Sequence, residues 1–301
     1  MVLQEQYNAN FASQVAAMEA RAKQLGLPPK TLKYLWPQGP GDSPGRSDFA
    51  PTPADAAAIN ALGLGTNVMS DIHGPALGGV AKAEQVFAEA ATAKWGAMNL
   101  ETNCGDHTMH RALTEGRDLN LFFRYPNPAL QGRAASFCME RSGYNSGFAN
   151  DQGLIFYLPN TTWLQPPAHV HAMISESWQP HSANFTLGSG CSSLNVSAGD
   201  VSAAVSADGQ AASVRIVNEG AAPLTVKVSM SGDRAAAAAV NVSVLEGSAC
   251  AKTATFPYQS EHKRCANTPG EPDLFAPTPW HVMEGGSLTV PGYSFAVAQL
   301  Q

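Results

Sequence analysis

Asn67-Val68-Met69-Ser70-Asp71-Ile72-His73, then helical spacing from Val80 to Lys94, then Gly96-Ala97-Met98-Asn99-Leu100-Glu101: this stretch reads strand, helix, strand. Two short apolar runs joined by a connection long enough for a helix are expected to lie parallel in one sheet. Working outward, Asn10 to Leu25 carries apolar residues at helical spacing (Phe11, Val15, Met18, Ala22, Leu25) until Gly26 and Pro28 stop it. Leu32 to Trp36 reads as a short buried strand, and a Pro/Gly-rich stretch from Pro37 leads to a helix over Pro53 to Leu62. On the other side, Asp106 can cap a helix running to about Phe123. A further helix is expected over Ala129 to Met139, and a fourth strand over Gly153 to Leu158. This alternation is the rhythm of parallel α/β units.

Near residue 180 the period changes to two. Val201 to Ser206, Ala212 to Val217, Leu224 to Val228 and Val240 to Val244 alternate apolar with polar residues. Turns such as Asp208-Gly209 and Asn218-Glu219-Gly220 separate them, and Ser287 to Leu300 supplies the last strands. The expected architecture is α/β over residues 1–180, followed by an antiparallel β-sandwich over 181–301.

Composition narrows the function classes. Charged residues make up 14% of 301, well under the roughly 25% of an average soluble domain, which argues against charge-driven disorder. The net charge of −6 leaves no basic surface for nucleic acid, so a neutral polar ligand is expected. No apolar window is long enough to span a membrane. Four N-x-[ST] acceptors, Asn160, Asn184, Asn195 and Asn241, point to an extracellular glycoprotein. The five cysteines show no C-x-x-C spacing. They suit an oxidised framework in which Cys250 and Cys265 close one short loop, leaving the pairing of Cys104, Cys138 and Cys191 open.

In parallel α/β barrels the catalytic groups stand at the carboxyl ends of strands. Glu101 ends an apolar strand, where burying a carboxylate is costly unless it is paired or used; Arg111 is the structural alternative as its partner. His73 ends the preceding strand, and Glu5 lies ahead of the first helix, where a strand end is expected. Two carboxylates across one mouth are what glycoside hydrolysis requires. Asn103 and Trp163 are candidate substrate contacts beside this pair, and Trp178 is a second tryptophan able to stack on a sugar. His107 and His110 lack a third ligand nearby, so no metal is expected. Gly74 to Gly79 lacks the Lys-Ser/Thr of a phosphate loop and the spacing of a dinucleotide fingerprint, so no cofactor is expected.

Glu101-Thr102-Asn103 followed by Ala112-Leu113, the stretches Gln165-Pro166-Pro167 and Val170 to Ser175, and the final run Val290 to Val297 resemble glycoside hydrolase family 51. The resemblance implies a (β/α)8 barrel of the TIM type plus a β-sandwich, and retaining hydrolysis of α-L-arabinofuranosides by two glutamates. Glu101 matches the nucleophile after the seventh strand, Glu5 the acid/base after the fourth, and His73 a pocket histidine after the sixth. Three departures stand out: Gln4 replaces an asparagine, Pro75 replaces a tyrosine, and the match begins at about strand four. The resemblance therefore implies a partial barrel, about strands four to eight, with an unpaired edge that a preceding segment or a protein partner completes. An arabinose-containing glycan is the expected ligand. A catalytically inactive extracellular relative with a binding or assembly role is the alternative.

Overall fold

Strands that follow apolar runs at parallel spacing do assemble side by side, as the computed structural model shows. It describes residues 2–37, 53–71, 88, 90–99, 107–124, 132–133, 139–140, 154–183, 199–227, 239–247, 265–280 and 287–300. The chain divides into two compact units, Met1–Asn103 with Asn127–Ala135, and Cys104–Pro126 with Ser136–Gln301. These bounds do not follow the change of texture near residue 180.

The first unit contains α1 (Val2–Gln24), β1 (Tyr34–Pro37), α2 (Pro53–Ala61), β2 (Val68–Asp71), the helical residues 90–93 (α3), β3 (Gly96–Asn99) and β4 (Gly132–Arg133). Its sheet runs β1-β2-β3-β4, every pair parallel. Pro37 pairs with Asp71, and Asp71 with Met98, so the strands end together at one edge. The core joins Phe11 and Val15 of α1, Ile59 of α2, Trp36, Val68 and Trp95. Phe11 meets Trp36 edge-on with centroids 4.9 Å apart, and Trp36 meets Trp95 at 5.5 Å, both within the range of favourable aromatic pairs. The buried Asn67 amide donates to the carbonyls of Lys30 and Leu32 at 2.7 and 2.8 Å, fixing the turn that enters β1.

Two expectations are corrected here. The first helix starts at Val2, not near Asn10, so Glu5 belongs to α1 and not to a strand end. Leu3, Gln4, Glu5 and Gln6 are good helix formers, and neither Gly nor Pro interrupts the run to Gln24. The helix expected over Ala129 to Met139 gives way to extended pairs: β4 beside β3, and β5 (Met139–Glu140) beside β6 (Ile155–Leu158). Gly132 is a weak helix former, and sheet hydrogen bonding overrides the local preference.

The second unit contains α4 (Met109–Arg124), β5, β6, β7 (Thr161–Leu164), α5 (Pro166–Glu176), β8 (His181–Ser182), β9 (Gly199–Val205), β10 (Ala212–Asn218), β11 (Leu224–Lys227), β12 (Ala239–Glu246), β13 (Thr278–Pro279), β14 (Ser287–Val290) and β15 (Ser294–Leu300). Six strands form an antiparallel sheet in the order β13-β12-β15-β10-β9-β8. Alternation along these strands creates two faces. Val214, Ile216, Val244, Ala296 and Ala298 pack against Val226 of β11 and Leu288 and Val290 of β14, which makes the antiparallel sandwich. Val217, Leu245, Phe295 and Val297 pack against α4 and α5 through Met109, Leu113, Val170 and Met173.

Helix α4 comes close to the sheet at Gly116, where a β-carbon would lie 2.8 Å from Cδ2 of Phe295 and 3.2 Å from Cγ2 of Val217. Phe295 is wholly buried and its ring has nowhere to swing. Gly116→Ala should therefore lower stability by about 1 kcal/mol in urea unfolding, the overpacking outweighing the gain in helix propensity.

Candidate functional site

Parallel strands deliver loop residues to one rim, and here β2 and β3 are neighbours that end at Asp71 and Asn99. His73 and Glu101 each follow two residues later in the sequence. His73, Glu101 and Asn103 lie outside the described residues, as do Asn184, Asn195 and Cys250. Glu5, on α1, does not share the strand-end position of the other two.

Trp163 is a correction. It is only 4% exposed, because it occupies the inward position of β7. Its indole N–H donates to the Asn267 carbonyl at 3.1 Å, and its ring stands at 66° to that of Phe156. A ring held in this way offers no face to a sugar. Trp178, just beyond α5, is the outward one: it is 54% exposed, and its ring rests 5.5 Å from that of Phe123. Of the remaining sequence candidates, Asn160 is exposed in the turn between β6 and β7, Asn241 is exposed on β12, and Cys265 is buried among the residues packed against α4.

The densest polar cluster was not evident from sequence. Arg111, Glu115 and Asp118 lie on α4 at spacings that resemble a solvated helix face. All three are buried instead. Nη2 of Arg111 is 2.6 Å from Oε2 of Glu115, and Nη1 is 4.0 Å from Oδ2 of Asp118. Nε2 of His171 on α5 lies 3.0 Å from the other Glu115 oxygen. Both oxygens of Glu115 are thus engaged, and the cluster ties α4 to α5.

Beside it, Gln165 and Asn267 bond reciprocally: Nε2 of Gln165 donates to the Asn267 carbonyl and the Asn267 N–H donates to Oε1 of Gln165, each at 3.1 Å. The His107 ring lies against that of Phe156, centroids 4.9 Å apart and planes tilted by 49°, and His110 is exposed. Among the described residues no group of three His, Cys, Asp or Glu side chains is arranged to hold a metal ion. No helix among them is long and apolar enough to cross a membrane.

Burial holds the His169 imidazole below its ordinary value of 6.5, with Asp273 opposing. A depressed folded-state value means that the unfolded chain binds the proton more readily, so stability is complete above pH 6.5 and falls as the pH drops below it. Thermal unfolding followed from pH 8 to pH 5 should show this fall. His169→Gln should flatten it by about 1.4 kcal/mol for each unit of depression.

No protein-family model matches the chain, and no curated protein does. Solved structures do. The fold is similar to that of an arabinose-bound family 51 α-L-arabinofuranosidase, with a TM-score of 0.66 at 12% identity over 99% of this chain and 43% of that one. A family 51 α-L-arabinofuranosidase from Bifidobacterium longum gives 0.58 at 14% identity over 98% and 63%. A thermostable one from Thermotoga petrophila gives 0.61 at 14% over 96% and 62%. At such identities the likeness is one of fold: a glycoside hydrolase-like architecture, of which the chain spans between about two-fifths and two-thirds of each relative's length.

Proposed function

We propose that the chain acts on carbohydrate as a retaining glycoside hydrolase of the arabinofuranosidase type, with Glu101 as nucleophile and His73 lining the pocket. The observation that carries this reading is the register of β2 and β3: Asp71 pairs with Met98, so both strands end at the same rim, two residues ahead of His73 and of Glu101 in the sequence. That is where the loops of a barrel converge. Glu101 would attack the anomeric carbon while a second carboxyl, roughly 5 to 5.5 Å away, protonates the leaving oxygen and then activates water. Residues 1–180 would form a partial (β/α)8 barrel. Among the described residues strand β1 has a neighbour only in β2, and strands supplied by a further segment or another polypeptide would pair along its other side.

An extracellular setting belongs to the same proposal. The exposed positions of Asn160 and Asn241 suit glycan attachment, and a Cys250–Cys265 disulfide would staple the sandwich. One observation favours a second reading. The helical position of Glu5 removes the strand-end argument for its acid/base role, which fits a catalytically inactive carbohydrate-binding relative.

Incubation with 4-nitrophenyl α-L-arabinofuranoside, with the anomer released followed by proton NMR, tests the choice. Release with retained configuration is expected. Binding of arabino-oligosaccharide without release would select the second reading, and the absence of both would sink the two together.

A further inference from the structure

Arg215 occupies the middle of β10, opposite Ser202 of β9 and Val297 of β15. Its side chain lies on the face turned toward α4, together with Ser213 and Val217 two residues to either side. The residue is fully buried, and its guanidinium carbon sits 4.1 Å above the ring of Phe123. None of its three nitrogens has a hydrogen-bond partner. Three further buried atoms in this layer are unsatisfied: the hydroxyl of Ser213, Nδ2 of Asn120 and Oδ2 of Asp200. Oδ1 of Asn120 is already taken by the Ser202 hydroxyl at 2.6 Å.

Among the described residues no carboxylate forms an ion pair with Arg215. Asp200, two residues along β9 from Ser202, pairs instead with Arg124 at 2.5 Å, and Arg124 also donates to the Val201 carbonyl at 2.7 Å. Burial lowers its pKa only to about 10, so it is protonated at neutral pH. A desolvated cation without a counter-charge is among the most unfavourable arrangements in a protein interior. A water molecule can satisfy some of these donors, yet it gives the guanidinium no counter-charge.

We infer that the layer between α4 and strands β9 and β10 binds a small monovalent anion of halide size, held by the guanidinium of Arg215, the amide of Asn120 and the hydroxyl of Ser213. An anion accepts from all of these groups and gives the guanidinium a direct counter-charge. Arg215, Asn120 and Ser213 are each 0% exposed, which excludes a larger ligand entering from solvent. The anion seats the last turns of α4 against the sandwich sheet, where Phe123 and Arg124 already touch Arg215 and Asp200.

Thermal unfolding of the whole chain, with sodium bromide exchanged for sodium gluconate at constant ionic strength, provides the test. The melting temperature should rise with the logarithm of bromide concentration, by about 4 °C at ten times the dissociation constant. Arg215→Met, which keeps an apolar stem over Phe123, should abolish this dependence. Crystals soaked in bromide give a second readout that needs no variant: an anomalous peak beside the Arg215 guanidinium is expected. A melting temperature indifferent to bromide overturns the inference, whether the crystal then shows water or an adventitious ion only.

Discussion

Glu101→Gln is expected to lower kcat/KM for an aryl α-L-arabinofuranoside by roughly a thousandfold or more while leaving the unfolding transition in place. Glutamine is isosteric with glutamate, so packing is preserved, yet a neutral amide cannot attack the anomeric carbon and no covalent glycosyl intermediate forms. In Glu101→Ala, which empties the space the carboxylate filled, azide, a small external nucleophile, should restore turnover and give a glycosyl azide of inverted configuration, because it enters from the nucleophile's side. Steady-state kinetics with and without azide check both parts. An unchanged rate in Glu101→Gln would remove this residue from the chemistry and with it the strand-end argument.

Arg111→Met should cost about 3 to 5 kcal/mol of stability, on the order of 10 °C in melting temperature. The guanidinium stands 2.6 Å from Glu115 and 4.0 Å from Asp118, both buried, so its removal takes a positive charge away from two carboxylates in a poorly hydrated layer. Replacing the pair together, Arg111→Met with Glu115→Leu, should recover part of the loss, since apolar residues of similar volume are often as good as a buried ion pair. Acid should narrow the gap between the single variant and the parent chain, because protonation neutralises the two carboxylates. Circular dichroism melts of the three proteins between pH 4 and pH 7 would reveal these differences.

The antiparallel half was legible nearly residue by residue. Strands β9, β10, β11 and β12 fall within one or two residues of the alternating runs that announced them, because a strict period of two and turn residues such as Asp208-Gly209 leave one register that buries a single face. The parallel half was legible in its order, β1, α2, β2, α3 and β3, but not at the start of α1 or between Ala129 and Met139, where pairing across the sheet decides. Helix α5 begins at Pro166-Pro167. Two prolines there look like a break, although the first turn of a helix tolerates them, having no hydrogen-bond acceptors for those N–H groups. The Pro159-Asn160 turn drew attention as a glycosylation motif and is equally the tip of the β6–β7 hairpin.

Legibility was poorest for polar side chains. Arg111 was weighed as a partner for Glu101, which lies outside the described residues, and what the sequence did not announce is its pairing with Glu115 and Asp118. Charges at helical spacing carry the same pattern whether they face water or a second helix, and only tertiary packing distinguishes the two cases. The tryptophans illustrate the same limit: Trp163 and Trp178 looked interchangeable as sugar platforms, and it is Trp178 that stands outward.

Strand β15 sits between β10 and β12, although it follows both in the chain. During synthesis, then, β8, β9 and β10 can zip together early while β12 waits with an open flank, and neither side joins the other until Ser294–Leu300 has left the ribosome. The nascent protein must carry two unsealed sheet margins from the emergence of β12 until β15 follows, a window in which a chaperone or a neighbouring nascent copy competes for them.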